Sequence, residues 1–541
     1  MLTGRTIVLR RFNVTGLCVP STDYMVDISD KLEKIVELID SGSYFTINRA
    51  RQYGKTTTLS LLEKRLGNSY ICASISFEGA DDNDFESPEA FCSMFVQEVS
   101  RALAYSSAPA DYSAEWIDTK ASDFRSLASH IEVMCRSKKV VLMIDEVDKI
   151  SNNRVFLHFL AMLRSQYLSA KNSKGHSFHS VVLAGVTNIK NLKLKMINDG
   201  LYSPYVTESR IYNSPWNIAV DFEVDMSFSP EEIGTMLIKY EEDHHTGMDV
   251  RLVAGAIHEY SGGYPYLVSR ICQHIDEKLD KDWSKGGVQK AVKIILQEQN
   301  VLFGDMSKNL ENSKELYDFL YSVLIIGEQR AFMPDNPIVE LCSMYGFIER
   351  SNLGSDMEAP AHVIIANKIF EMRLVYYFSS KDENVSRIDN AYSKSLYNEI
   401  TQNGSFNMEL CLRKFSEHYR ELYSETDAPF LERHGRLLLL SYLRPLVNGV
   451  GFYHIESQFT NLKRMDVVVD FGADQFIIEL KIWRGEAAIS KAHEQLLEYM
   501  DAKGAQQGYL VIFDFRDEKN KKRRAEWVQA GNGKMIFEMV M

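Results

Sequence analysis

No stretch of this 541-residue sequence stays apolar long enough to cross a bilayer; the longest apolar runs, such as Val140 to Ile144 and Leu437 to Leu440, fall far short. No membrane partner is therefore expected. The N-terminus carries Arg5, Arg10 and Arg11 but lacks a continuous apolar core followed by a small-residue cleavage site, so no secretory signal is read and a cytoplasmic location is expected. Cysteine is sparse. The seven residues Cys18, Cys72, Cys92, Cys135, Cys272, Cys342 and Cys411 are scattered, odd in number and never form a CxxC pair, which argues against a disulfide framework and a cysteine-based zinc site. Internal repeats and low-complexity linkers are also missing. A net charge of −13 argues against a general coat of nucleic-acid affinity, although it leaves room for a local basic groove. The run Lys519, Lys521, Lys522, Arg523 and Arg524 can contact phosphates, but such runs are more often solvated surface.

What is present is an ordinary globular composition, 45% hydrophobic and 25% charged, in a chain too long for one hydrophobic core. Residues 1–226 alternate strand-like and helix-like patterns, as expected of an α/β domain with a parallel sheet. The strand candidates are Tyr44 to Ile47, Tyr70 to Phe77, Val140 to Ile144 and Val181 to Ala184. Between them lies a helix with Ser87 as N-cap and Pro88 at its first position, whose Phe91, Met94, Phe95 and Val99 share a face. From 227 to 393 the pattern is mainly helical, opened by Ser229 and Glu232 at capping-box spacing. A final α/β segment, 394–541, has a helix through Leu437 to Leu440 and strands at Met465 to Phe471, Phe476 to Leu480 and Tyr509 to Phe513.

The first chemical motif is Tyr44-Phe45-Thr46-Ile47-Asn48 followed by Arg49-Ala50-Arg51-Gln52-Tyr53-Gly54-Lys55-Thr56-Thr57, with Leu59, Leu61 and Leu62 at helical spacing behind it. Strand, tight loop and helix N-terminus come in the order of a P-loop. Amides at the helix start can cradle phosphate, Lys55 can reach the β and γ oxygens, Thr56 can hold magnesium, and Gly54 and Thr57 flank them. The usual spacing wants glycine at position 49, where this chain has arginine. Alone, the Gly-Lys-Thr triplet can be an exposed turn. Ninety residues after Lys55, however, Val140-Val141-Leu142-Met143-Ile144 leads into Asp145-Glu146-Val147-Asp148, placing carboxylates at the C-terminal end of a buried strand. There Asp145 would hold the magnesium and its water, and Glu146 would polarise the attacking water. The strand ending Gly185-Val186-Thr187-Asn188 offers Asn188 as a γ-phosphate sensor, although Thr187 and Asn188 equally suit a turn cap.

At these residues the chain resembles the AAA-ATPase-like family of bacterial proteins, whose P-loops read close to NRPRRFGKT and commonly lack the first glycine. The resemblance extends to Leu183-Ala184-Gly185-Val186-Thr187-Asn188-Ile189-Lys190-Asn191-Leu192-Lys193, Ser214-Pro215-Trp216-Asn217-Ile218-Ala219 and Ser261-Gly262-Gly263-Tyr264-Pro265-Tyr266-Leu267. It implies ATP as the nucleotide. In the wider class of signalling NTPases, a Gly-x-Pro such as Gly263-Tyr264-Pro265 lies beside the nucleotide, though spacing alone reads it as a turn starting a helix. The middle region, from about 227 to 390, is similar to the helical and winged-helix extension of those ATPases. A homo-oligomer is expected, because such enzymes often complete their sites with a neighbour's arginine. Arg164 is a candidate by position, against the plainer reading of a helix-surface residue.

The third constellation is Asp466 at the start of Arg464-Met465-Asp466-Val467-Val468-Val469-Asp470, then Glu479 and Lys481 in Phe476-Ile477-Ile478-Glu479-Leu480-Lys481, then Gln495 and Tyr499. Glu479 and Lys481 fall on one face of a strand because side chains repeat every two residues. Two carboxylates suit a hard divalent cation, and the amine can orient water or stabilise charge on a phosphodiester. The bland reading is a salt bridge on a strand. The full order, Asp-x12-Glu-x-Lys followed by Gln-x3-Tyr, resembles the PD-(D/E)XK nucleases, especially their recombination-nuclease branch. That resemblance implies a glutamate from the preceding helix in the metal site, Glu432 with Glu456 in reserve, and sets Gln495 and Tyr499 beside the active site. Their plainer reading is a helix face packed on the sheet. The function expected is an ATP-binding, Mg²⁺- or Mn²⁺-dependent nuclease acting on nucleic acid, DNA first, in defence against phage or foreign DNA. The competing class is a non-catalytic, nucleotide-switched protein that signals or grips nucleic acid.

Overall fold

The computed structural model describes residues 10–106, 108–117, 121–150, 154–186, 216–351, 361–381, 394–402, 405–422, 432–447, 451–454, 467–472, 474–516 and 523–541. The chain divides into two compact units, Met1–His258 with Gly263–Val288, and Glu259–Gly262 with Gln289–Met541. Among the described residues no helix is long and apolar enough to cross a membrane.

The first unit is organised by a parallel sheet of β1 (Tyr44–Asn48), β2 (Ile71–Ser76), β3 (Val140–Asp145) and β4 (Ser180–Gly185) in the order β1-β4-β3-β2. Every residue of β3 and β4 is buried, as expected of strands covered on both faces. Because the strands are parallel, their C-terminal ends share one edge, and β4 stands there between the ends of β1 and β3. Val220 adds a backbone bridge on the other side of β1, its N–H donating to the Tyr44 carbonyl at 2.9 Å. The helix Pro88–Ala104 starts as its sequence dictates: the Ser87 hydroxyl accepts from the Ala90 N–H, and Pro88 fills a position whose N–H has no helical acceptor. Its Phe91 and Phe95 each lie 5.0 Å from the Phe159 ring, in the core covering one face of the sheet. Trp216 is wholly buried and donates from Nε1 to the Thr46 hydroxyl at 2.9 Å, which satisfies both polar groups beneath β1. The helix Pro230–His244 opens on the reciprocal capping box of Ser229 and Glu232.

The second unit takes in the end of the helix Lys285–Gln297, then the helices Val301–Asn312 and Lys314–Tyr321, a π-helical turn at Ser322–Ile326 and the helix Pro337–Met344. An antiparallel pair follows, β5 (Ile348–Arg350) with β6 (Val363–Ile365), then the helix Lys368–Lys381. After the two-residue strands β7 (Thr401–Gln402) and β8 (Ser405–Phe406) come the helices Met408–Leu422 and Glu432–Val447. A six-stranded mixed sheet completes the unit: β9 (Gly451–His454), β10 (Val467–Phe471), β11 (Asp474–Ile482), β12 (Gln507–Phe513), β13 (Arg524–Gln529) and β14 (Met535–Val540), in the order β13-β14-β12-β11-β10-β9. Strands β11, β12 and β14 are parallel, and the helix Glu486–Lys503 makes the β11-to-β12 crossover. It packs Ile489, Ala492, Leu496 and Met500 onto Ile477, Leu510 and Ile512.

Candidate functional site

In the first unit the loop from Arg49 to Gly54 carries the chain from the end of β1 into the helix Lys55–Leu66. Gly54 is the N-cap with φ +77°, a left-handed conformation that costs glycine little. The first amides of that helix have no acceptor within it, and the helix dipole adds a partial positive charge at the same point. Lys55 is buried, its Nζ donating to the carbonyls of Arg49 at 2.9 Å and Ala50 at 3.0 Å. Burial pushes its pKa below the ordinary lysine value, against the opposing pull of Asp148, Glu146 and Asp145. Such an ammonium gains by exchanging neutral carbonyls for phosphate oxygens.

Across the edge, the Thr56 hydroxyl donates to Asp145 Oδ2 at 2.6 Å, and Asp145 Oδ1 accepts from the Glu146 backbone N–H at 2.9 Å. One hydroxyl and one carboxylate of hard oxygen character therefore meet where β3 ends, a donor set that fits magnesium. Glu146 itself is held at φ +55°, and burial, then Asp145, lifts its carboxyl above the usual range. Asp148, which the sequence reading left without a role, accepts from the Val186 N–H. A Cβ on Gly185 would lie 2.8 Å from Val147 Cγ2 and 2.9 Å from both Asp148 carboxylate oxygens, so a side chain here would force those two side chains to move. Asn188 and Thr187 lie outside the described residues. Arg164 is half-buried on the helix Arg154–Lys171, with its Nε buried.

Arg49 replaces the missing glycine by turning its side chain into the loop's support. Its guanidinium donates to the carbonyls of Asn48 at 2.8 Å and Val224 at 2.7 Å, and lies 5.4 Å from the Phe222 ring. The Gly263-Tyr264-Pro265 turn seats on the same loop. The Tyr264 hydroxyl donates to the Arg51 carbonyl, its ring is 4.6 Å from that of Tyr53, and a Cβ on Gly263 would come within 2.2 Å of the Phe228 carbonyl oxygen. Beside the loop is a cavity of about 360 Å³, lined in part by Val14, Val26, Gln52, Gly54, Thr57 and Tyr266.

In the second unit Glu479 is buried on β11, and Lys481 Nζ lies 2.6 Å from its Oε1. Strand alternation sets both on the face that carries Ile477, against the helix Glu486–Lys503. Tyr499 is buried in the core between that helix and the sheet, and Gln495 is half-buried. Asp466 and Glu456 lie outside the described residues; Glu432 opens the helix Glu432–Val447. Glu479 supplies one hard carboxylate, and among the described residues no three His, Cys, Asp or Glu side chains converge to hold a metal.

A polar cluster escaped the sequence reading. Leu510 on β12 is in register with both Glu479 and Glu538, so Glu538 on β14 belongs to the same row of the sheet. His493 Nε2 meets Glu538 Oε2 at 2.7 Å, and Arg524 binds the other oxygen. Burial pushes the Glu538 carboxyl up, but these partners hold it below the usual carboxylate value. Arg524 belonged to a run read as solvated, and nothing in the spacing tied it to residue 538.

Residues 20–349 match the family model described as AAA-like domain, and residues 450–525 match the PD-(D/E)XK nuclease superfamily. Among solved structures, the Walker-type ATPase of Pyrococcus abyssi is 13% identical over 67% of this chain and 99% of its own, with a TM-score of 0.44. The Aeropyrum pernix ORC2 protein in ADPNP–ADP complexes is 10% identical over 68% of this chain and 96% of its own, TM-score 0.36. Cdc6p from Pyrobaculum aerophilum is 12% identical over 68% of this chain and 97% of its own, TM-score 0.31. No curated protein matches. The first family match spans more than half of the sequence, and the chain belongs to the AAA-like domain family, with a PD-(D/E)XK nuclease-superfamily segment following it.

Proposed function

We propose that this chain is an ATP-binding, metal-dependent nuclease in which nucleotide occupancy of the first unit regulates phosphodiester cleavage by the second. The observation that carries the reading is the convergence of Lys55, Thr56 and Asp145 at the C-terminal edge of the parallel sheet. In this reading Lys55 and the helix amides of Gly54 to Thr57 take the phosphates, and Glu146 polarises the attacking water. Asn188 senses the γ-phosphate. The nucleoside end occupies the adjoining cavity, whose apolar lining suits a base. Magnesium held by Thr56 and Asp145 would neutralise phosphate charge.

For the nuclease, Asp466 is the residue before Val467, and Val467 is paired with Ile478, the residue before Glu479. This supports Asp466 and Glu479 as partners in holding Mg²⁺ or Mn²⁺, with Glu432 as a third ligand. The metal would supply a water of lowered pKa. Lys481, held by Glu479, orients that water, and Gln495 contacts the substrate backbone. DNA is the proposed substrate, a cytoplasmic homo-oligomer the proposed form, and defence against phage or foreign DNA the proposed setting. That setting rests on the resemblance of such fusions.

The test is incubation of purified protein with DNA and with RNA, with and without ATP and with Mg²⁺, Mn²⁺ or chelator. Cleavage that needs metal and changes with ATP is the expected result. Nucleotide binding with neither nucleic acid cut under any condition would leave a switched binding protein instead.

A further inference from the structure

Gln52 is unusual among the loop residues in three independent ways. Its backbone sits at φ +58°, a left-handed conformation that residues with a Cβ avoid unless their surroundings impose it. Its amide oxygen Oε1 is buried and meets no hydrogen-bond partner among the described residues. It also lines the 360 Å³ cavity beside the start of the helix Lys55–Leu66.

A buried acceptor left unmade is costly, and the left-handed backbone adds to that cost in the same residue. Both make sense if a ligand supplies the missing donor. A nucleoside triphosphate at neutral pH offers donors only on its nucleoside part, at the ribose hydroxyls and, for adenine, the exocyclic amine; its phosphates are acceptors. Two polar side chains of the cavity are already engaged: Asn13 donates to the Leu17 carbonyl and accepts from the Thr15 N–H, and the Thr57 hydroxyl accepts from the Cys18 N–H. Val14, Met25, Val26, Ile28 and Phe228 also line the cavity and provide apolar surface for a ring system.

We propose that Gln52 is a specificity-determining residue that accepts a hydrogen bond from the nucleoside part of the bound nucleotide. The inference rests on the ATP-binding reading given above. Removing a donor to a buried acceptor corresponds to a loss of about tenfold in affinity.

The experiment is calorimetric titration of the full chain with ATP, 2′-deoxy-ATP and inosine triphosphate, for wild type, Gln52→Met and Gln52→Gly. Wild type should prefer ATP about tenfold over one of the two analogues, which identifies the donor as the ribose 2′-hydroxyl or the 6-amino group. Both variants should bind ATP about tenfold more weakly and lose that preference. Thermal unfolding without nucleotide separates this from misfolding, because Gln52→Gly relieves the left-handed backbone and should melt no lower than wild type. Equal affinity of wild type for all three nucleotides, or variants that keep the wild-type ratios, would overturn the inference while ATP binding stands. No nucleotide bound by wild type would instead overturn the reading on which it rests.

Discussion

The two candidate sites are assembled in opposite ways. In the first unit the chemistry is pooled at one edge from the ends of separate strands: Lys55 and Thr56 follow β1, Asp145 ends β3 with Glu146 just after it, and Gly185 ends β4. Much of what it offers is backbone, from helix amides to the loop carbonyls that hold Lys55. In the second unit the described chemistry is side chain only, Glu479 and Lys481 two residues apart on one strand. A site made of backbone tolerates drift in the loop sequence, which is how arginine can stand where glycine is usual. A site made of alternating side chains has no such latitude.

That contrast sets the largest expected effect in the second unit. Glu479→Ala, Lys481→Ala and Asp466→Ala should each lower metal-dependent cleavage by roughly 10⁴-fold or more, and double variants should add little, because in the proposed reaction the groups serve one transition state. Gel assays of plasmid cleavage measure this, with ATP titration as the control that should not change. Wild-type cleavage by Glu479→Ala would reduce the pair to a salt bridge on a strand.

Next in size is Glu146→Gln, expected to bind ATP and to hydrolyse it roughly 10²- to 10⁴-fold more slowly. Burial and Asp145 raise the Glu146 carboxyl, and a base must be deprotonated to act. Hydrolysis should therefore fall as pH drops through a value above the usual carboxylate range, a limb that Glu146→Gln should lack. A steady-state pH profile of both proteins decides it. Lys55→Ala should weaken ATP binding by about a hundredfold, the cost of a charge-assisted contact left unmade. Calorimetry would read this, and unchanged affinity would remove the P-loop assignment.

Legibility followed the same divide. The strands β1 to β4, the Ser87 and Ser229 caps and the helix through Leu437 were readable because apolar period and cap chemistry are local signals. The placement of Lys55 and Asp145 at one edge of the sheet and of Glu479 beside Lys481 was readable because strand ends and alternation fix where side chains go. The β13–β14 hairpin was missed, its Arg524 absorbed into a charge run, although Met535-Ile536-Phe537-Glu538-Met539-Val540 is an apolar stretch interrupted by one acid. That acid is explained by His493, forty-five positions away, which no local period reveals. Arg49 was seen only as an absent glycine, since its work depends on Val224 and Phe222, brought near by the fold.

The smallest expected effect lies in the support around each site. Gly185→Ala would put a methyl 2.9 Å from both oxygens of Asp148, a contact that real Cβ atoms do not tolerate. Asp148 would have to give, and with it the bond to the Val186 N–H that fixes the chain where β4 ends. Overpacking of this kind costs about 1–3 kcal/mol. Gly435 is the counterpart in the second unit, where a methyl would meet the Phe513 ring at 2.4 Å, a collision with apolar surface alone. Both alanine variants should melt earlier, but only Gly185→Ala should also slow ATP hydrolysis, because there the displaced group sits beside Lys55 and Glu146. Melting curves paired with ATPase rates distinguish the two, and equal loss of ATPase in both variants would mean that Asp148 acts on folding alone.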